Sequence, residues 1–290
     1  MGFNENVNCV SIAGVGLIGG SVGLALKRAG FKGRIVGFGR RWSSLKHAID
    51  TKAVDSIEMD LSEAMKDTDM LIIATPVDTI AGLAKEAIKY AKKGCIITDV
   101  GSTKSKLVKE IESFIPNDIY FVGAHPMAGS HKTGVDSACA TLFEQNLCII
   151  TPTKSTNSDA VQTVSDMWQN MGSIIKIMSP EEHDFLISAA SHLPHLVAYA
   201  LVQLASSIEN QQGRAIDFAG TGFADVTRIA SGSPELWSGI LLQNEEMVVS
   251  MIDKMNSELT EFKTILEAKD KSALMEKLTH IKQIRDSFRK

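Results

Sequence analysis

The first half of the chain alternates short, nearly all-apolar runs with segments whose apolar positions recur every three to four residues. The runs fall at 8–13, 34–38, 70–74, 95–99, 120–123 and 147–151, and the periodic segments at 17–29, 43–51, 77–91 and 104–114. A strand buried on both faces shows no polar side, so uniform apolarity here predicts a sheet covered by helices on both faces. The alternation itself predicts a doubly wound, mostly parallel α/β sheet. A helix at 158–171 and a last β-like run at 174–178 complete this half. Then the pattern changes. Ser179-Pro180-Glu181-Glu182 joins a capping serine to a glutamate three residues on, with proline at the first helical position, so a helix starts there. No convincing strand follows. A second start signal, Ser233-Pro234-Glu235, predicts one long helix carrying Leu236, Ile240, Met247, Met251, Met255, Phe262 and Leu266. A final helix is expected from Asp270 or Lys271 nearly to Lys290. The expected domains are 1–178 and an all-helical 179–290. Val248, Val249 and Ile252 lie off the main apolar stripe, so that helix needs a second partner, inside the chain or in a second subunit.

Composition narrows the class. The 290 residues are 44% hydrophobic and 22% charged, the balance of a globular protein with a sizeable core. A formal charge of −4, with no basic stripe interleaved with aromatics, argues against a nucleic-acid partner. Cys9, Cys95, Cys139 and Cys148 form no CxxC pair and read as small buried hydrophobes of a reducing compartment. The polar opening MGFNENVN lacks the pattern of a signal peptide, and no run approaches ~18 consecutive apolar residues. The expectation is a cytoplasmic protein with no membrane association.

The first apolar run leads into Gly14-Val15-Gly16-Leu17-Ile18-Gly19-Gly20, which opens a helix. In such a fingerprint Gly14 permits the tight turn, Gly16 lets a pyrophosphate approach, and Gly19 lets helix and strand pack closely. The N–H groups of the helix start, around Leu17 and Ile18, then hold the phosphates. Strand, glycines and helix in that order read as a Rossmann-type nucleotide site. The carboxylate that usually grips the ribose 2′-hydroxyl is missing where the second strand ends, at Gly37-Phe38-Gly39-Arg40-Arg41. Gly39, Arg40 and Arg41 suit a 2′-phosphate instead, so the cofactor is NAD(P), with NADP preferred over NAD. Thr75 and Pro76 end the next strand and join the cofactor candidates.

Two further strand ends carry candidate chemistry, Asp99-Val100-Gly101-Ser102-Thr103-Lys104 and Gly123-Ala124-His125-Pro126-Met127-Ala128-Gly129-Ser130. Ligands of open α/β sheets bind outside the carboxyl ends of strands, which places Ser102 and His125 beside a nicotinamide. A neutral histidine in a Gly/Pro-shaped loop there is suited to accept a hydroxyl proton as hydride leaves the same carbon. Ser191-His192-Leu193-Pro194-His195 puts two histidines on one helix face, with Pro194 expected to kink the helix. Cysteine and carboxylate partners are missing around that pair, so no metal site is expected. Asp225-Val226-Thr227-Arg228 sets a lone arginine behind Gly220 and Gly222, suited to an ion pair with Asp225 or to bidentate capture of a substrate carboxylate.

Taken together, GVGLIGGS, DVGSTK, HPMAGSHKTGV, ITPT, SHLPH, DVTRIA and the Ser-Pro-Glu-Leu-Trp helix start resemble the prephenate and arogenate dehydrogenases of tyrosine biosynthesis, in order from residue 10 to about 240. The resemblance implies a Rossmann-like N-terminal domain, a helical domain that forms a homodimer, and oxidative decarboxylation of a cyclohexadienol. It implies that His125 takes the hydroxyl proton, that Ser102 orients it, and that Arg228 binds a substrate carboxylate, helped by His195 and with Ser130 and Thr221 in the substrate site. His131 stands where relatives often have glutamate, and Thr221 where some have glycine. Any inhibition by tyrosine would then act competitively at the active site. Prephenate against arogenate stays open at this point. So do another β-hydroxyacid-type dehydrogenase, although these commonly use a lysine base, and a non-catalytic nucleotide sensor.

Overall fold

One eight-stranded sheet organises the computed structural model, which describes residues 3–129 and 134–288. Its strands are β1 (Cys9–Ala13), β2 (Arg34–Phe38), β3 (Ser56–Glu58), β4 (Met70–Ile73), β5 (Ile96–Asp99), β6 (Tyr120–Pro126), β7 (Leu147–Thr151) and β8 (Ile174–Ile177). They lie in the order β3-β2-β1-β4-β5-β6-β7-β8, parallel throughout except between β6 and β7. The winding direction reverses between β1 and β4, and at such a point a crevice opens outside the carboxyl ends of the strands. The sequence expectation of a mostly parallel, doubly wound sheet holds. β3 was not foreseen, because three half-buried residues make no apolar run.

Period-two alternation divides the strands between two cores. Val10, Ile12, Met70, Ile72, Val122, Ala124 and Ile150 face one side. There they meet α1 (Phe3–Asn6), α2 (Leu17–Arg28), α3 (Trp42–Asp50) and α7 (Ser158–Asn170) through Phe3, Leu26, Leu45 and Trp168. Leu71, Ile73, Ile97 and Phe121 face the other side, against α4 (Leu61–Met65), α5 (Val77–Ala87) and α6 (Ser105–Glu112). Phe3 is 1% exposed and stacks near Phe31, so the polar opening segment is a docked helix turn and not a simple lead into β1. Cys9, Cys95 and Cys148 are buried free thiols as expected, whereas Cys139 is exposed.

The second half contains α8 (Pro180–Ile187), α9 (Leu193–Ser207), α10 (Thr221–Thr227), α11 (Pro234–Gln243), α12 (Glu245–Glu267) and α13 (Lys271–Ser287). The capping box forms as the sequence predicts: Ser179 Oγ accepts from Glu182 N at 3.2 Å, and Glu182 Oε2 accepts from Ser179 N at 2.9 Å. Asp270 caps α13. A π turn at Ser188–His192 joins α8 to α9 immediately before Pro194, with Leu193 N donating to Ser188 O. Proline has no N–H for the carbonyl four residues back and crowds that turn, and the widened turn absorbs both effects. The resulting stretch Pro180–Ser207 is 28 residues long with a mean hydropathy of 1.5 in its most apolar window, long and apolar enough to cross a membrane by composition. Yet it buries His183, Asp184, Ser188 and His192.

Two expectations for this half are corrected. A small antiparallel hairpin, β9 (Glu209–Asn210) with β10 (Gly213–Arg214), interrupts the helices. The single long helix expected from Ser233 is two helices, because Asn244 leaves helical geometry at φ −117°, ψ 31° and turns its side chain inward. The chain forms two compact units, Met1–Asn244 and Glu245–Lys290. Helices α8 to α11 thus group with the sheet, and α11 delivers Ile240 to the core shared with α5 and α6.

Candidate active site

At the end of β1 the backbone turns through Gly14, at φ +90°, and α2 starts three residues later. A Cβ on Gly14 would lie 2.6 Å from the Ala74 carbonyl oxygen, and one on Gly19 would lie 2.2 Å from the Gly14 carbonyl oxygen. The fold itself therefore requires both glycines. Gly16 is different: a Cβ there meets nothing within 4 Å. With no side chain capping α2, the first-turn N–H groups of Leu17, Ile18 and Gly19 are left for an anion. This cradle fits a dinucleotide pyrophosphate. Thr75 borders it, since its Cγ2 is 2.9 Å from the Gly14 Cβ position, and Pro76 caps α5 beside it. Gly39 donates its N–H to Glu58 O at 3.4 Å, and Arg40 and Arg41 are exposed, with no ion pair among the described residues.

A second group of side chains lies along β5, β6, α6, α8 and α9. His125 pairs with Ile149 inside the antiparallel β6–β7 ladder and is 7% exposed. Alternation along β6 puts it on the Phe121 face, where α6 packs. Its Nδ1 lies 2.8 Å from His183 Nε2, and the rings meet edge-on. His183 Nδ1 lies 2.8 Å from Asp184 Oδ1. The Asp184 carboxylate also accepts from Lys104 N and Ser105 N, each at 2.8 Å, and so caps α6. Asn244 Nδ2 donates to Asp184 O at 2.9 Å and lies 3.2 Å from His192 Nδ1. Beneath them the fully buried Asp99 and Lys104 form an ion pair, and Asp99 also accepts from Gly101 N at 2.8 Å and Ala124 N at 3.2 Å. Buried charges are tolerable when paired and saturated in this way.

Burial pushes the His125 pKa well below 6.5, with His183, Lys104 and His192 adding to the effect. Burial also lowers His183, against the opposing pull of Asp184, and takes His192 down to about 4. All three imidazoles are thus neutral at neutral pH. His195 stacks on Trp237 with ring centroids 3.5 Å apart, and His192 meets the same indole edge-on. Desolvation lowers the His195 pKa, and nearby Arg228 lowers it further.

The structure brings several of the sequence candidates together. The Ser102 backbone lies beside His192, His192 shares Trp237 with His195, and the Arg228 charge is within electrostatic reach of His195. Arg228 opens the 3-10 turn after α10, exposed, with no ion pair to Asp225 or any other described residue. Thr221 is the exposed first residue of α10, with no side-chain hydrogen bond among the described residues. Ser130 and His131 lie outside the described residues. One expectation fails: His125 is not in a loop. Pairing with Cys148, Ile149 and Ile150 of β7 extends β6 through Pro126, whose missing N–H is harmless at the strand's last position. Sequence reasoning also passed over His183, Asp184, Trp237 and Asn244. The His-Asp pair inside the helix opened by the capping box was the available signal.

A Rossmann-type sheet with a glycine cradle at its switch point and a histidine-lined second site defines a nicotinamide-dependent dehydrogenase. Residues 22–177 match the family described as prephenate dehydrogenase, nucleotide-binding domain, and residues 179–280 match prephenate dehydrogenase, dimerization domain. The chain belongs to the prephenate dehydrogenase family. It is 37% identical over 287 residues to a prephenate dehydrogenase of Bacillus subtilis, across 99% of this chain and 77% of that protein. It is 30% identical to a cyclohexadienyl dehydrogenase of Zymomonas mobilis, across 92% and 91% of the two chains. Its fold superposes with a TM-score of 0.92 on the crystal structure of A. aeolicus prephenate dehydrogenase in complex with hydroxyphenyl propionate and NAD+, at 34% identity, covering 96% of this chain and 97% of that one. The Synechocystis arogenate dehydrogenase structure gives 0.83 at 26% identity, covering 96% and 99%.

Proposed function

We propose that this chain is an NAD(P)-dependent prephenate dehydrogenase, converting prephenate to 4-hydroxyphenylpyruvate and CO2 in tyrosine biosynthesis. The observation that carries this reading is a buried, neutral His125 hydrogen-bonded into the His183–Asp184 pair, in a chain of this family that also has a glycine-built nucleotide cradle. The nicotinamide, when bound, accepts the hydride from the carbinol carbon. His125 takes the hydroxyl proton, which lets the C–H electron pair depart as hydride and the carbonyl form. Breaking the ring–carboxylate bond releases CO2 and aromatises the ring, and its electrons end on the ring oxygen, which recovers a proton. Arg228 holds a substrate carboxylate through its planar fork, with His195 beside it. Ser102 orients the hydroxyl or the His125 ring, and Ser130 and Thr221 complete the substrate site. Residues 1–178 hold the nucleotide, and residues 179–290 serve the substrate and a second subunit, acting in the cytoplasm.

Two finer readings belong to this proposal. Arg40 and Arg41 bind a 2′-phosphate and favour NADP over NAD; Arg40→Ala is expected to raise the KM for NADP+ ~3–10-fold, the worth of one exposed charge-assisted contact. Equal effects on NAD+ and NADP+ discard that role. Tyrosine, as a product analogue, competes with the substrate. Arogenate is the alternative substrate, favoured by the similarity to cyclohexadienyl and arogenate dehydrogenases. Steady-state rates with prephenate and arogenate, each with NAD+ and NADP+, test the whole reading. Turnover of neither substrate with either cofactor overturns it.

A further inference from the structure

The Asp184 carboxylate accepts hydrogen bonds and has none to give, so the hydrogen between it and His183 sits on His183 Nδ1. A neutral His183 then has its lone pair on Nε2. That atom lies 2.8 Å from His125 Nδ1, so the hydrogen between the two rings belongs to His125. We infer that Asp184 and His183 are positioning residues that lock His125 in its Nδ1–H tautomer, leaving the Nε2 lone pair to receive the substrate proton. This rests on the reading of His125 as the proton acceptor.

The arrangement is rigid at each link. Two backbone N–H groups of α6 hold the Asp184 carboxylate, and Asn244 holds the Asp184 carbonyl. His183 is fully buried on a helix whose start is fixed by the Ser179 capping box. The low pKa of His183 fits its role as a neutral acceptor. When His125 takes a proton it becomes an imidazolium whose Nδ1–H still donates to His183, with the Asp184 carboxylate one ring further on. No second proton has to move. The logic is that of an acid–histidine pair in which the carboxylate sets tautomer and orientation, with one more ring between acid and base.

Asp184 also caps α6, so His183 is the residue to change. Nitrogen-15 NMR of histidine-labelled full-length protein, with His125→Asn supplying the assignment, is expected to show His125 protonated at Nδ1 and bare at Nε2. His183→Leu removes the acceptor and is expected to lower kcat ~10-fold or more, the worth of one buried hydrogen bond to a group that becomes charged. The KM values for prephenate and NAD+ stay within twofold (~2) of wild type. His183→Gln restores an acceptor oxygen and recovers most of the rate. An Nε2–H tautomer of His125 in the wild-type protein overturns the inference, and so does a His183→Leu enzyme with wild-type kcat. If His183→Leu does not fold, the wild-type spectrum and the Gln variant decide. Undiminished turnover by His125→Asn would instead overturn the assignment of the base, an outcome the tautomer measurement does not depend on.

Discussion

At the β1–α2 turn the proposed binding surface is backbone: Gly14, Gly16 and Gly19 place no side chain there, and no side chain caps the start of α2. Around His125 the arrangement is made by side chains that hold one another, through His183 and Asp184 of α8, His192 of the π turn and Asn244 at the end of α11. The first region is local, its parts lying within seven consecutive residues from Gly14 to Gly20. The second joins residues 58 and 60 positions apart, so its geometry exists only once the helices have packed. A local backbone device tolerates change nearby and fails in binding when its open space is filled. A long-range side-chain cluster fails in chemistry when one member is removed.

The sharpest way to break that contrast is His125→Asn. Loss of a general base is expected to cut kcat by a factor of ~10²–10⁴ while the KM for NAD+ holds. The pH profile carries a second check. The base works only when deprotonated, so activity falls as pH falls through its pKa, and burial sets that pKa well below 6.5. The kcat/KM for prephenate is therefore expected to stay level from pH 8 down to about 6.5 and to decline only below it. An acidic limb centred at or above that value would point to a solvated group. Arg228→Ala comes next. Removing a guanidinium that pairs with a carboxylate is expected to raise the substrate KM ~10–100-fold with kcat little changed. An unchanged KM would assign Arg228 a structural role.

The same contrast explains what the sequence made legible. The sheet, the two capping signals and the glycine cradle are written in short windows, as periodicity, as Ser-Pro-Glu and as GVGLIGG, and each maps onto backbone geometry one to four residues away. His125 is singled out as a candidate but expected in a loop, because its strand is extended by a neighbour more than twenty residues on. Asn244 lies in a polar run, Gln243 to Glu246, that does not by itself mark a break; its contacts with Asp184 and His192 reveal why the helix breaks there. His183 and Asp184 draw no expectation from the sequence, yet both are buried, because α8 lies against the start of α6, where Asp184 meets the first N–H groups. Period and propensity report which face of a helix is apolar. They are silent on which polar residue will meet another element's unsatisfied N–H groups.

The smallest expected effect separates the two kinds of construction within the glycine cradle itself. Gly16→Ala adds a methyl group where nothing stands within 4 Å, at φ −99°, ψ −146°, a negative φ outside the left-handed region that demands glycine. The fold has no reason to resist it, so the unfolding temperature should match wild type. The methyl would instead occupy the space a pyrophosphate needs, and the KM for NAD+ is expected to rise ~10-fold, equivalent to one lost hydrogen bond to a charged phosphate. Gly19→Ala is the control, since its Cβ would collide with the Gly14 carbonyl oxygen at 2.2 Å, and stability should fall with or without nucleotide. If Gly16→Ala destabilises the free protein as Gly19→Ala does, the glycine is a packing residue. If it leaves both stability and KM untouched, the dinucleotide does not approach the turn at that point. In either case the nucleotide would have to be held elsewhere along the strand ends, and the division between a backbone-built and a side-chain-built half of the site would no longer stand.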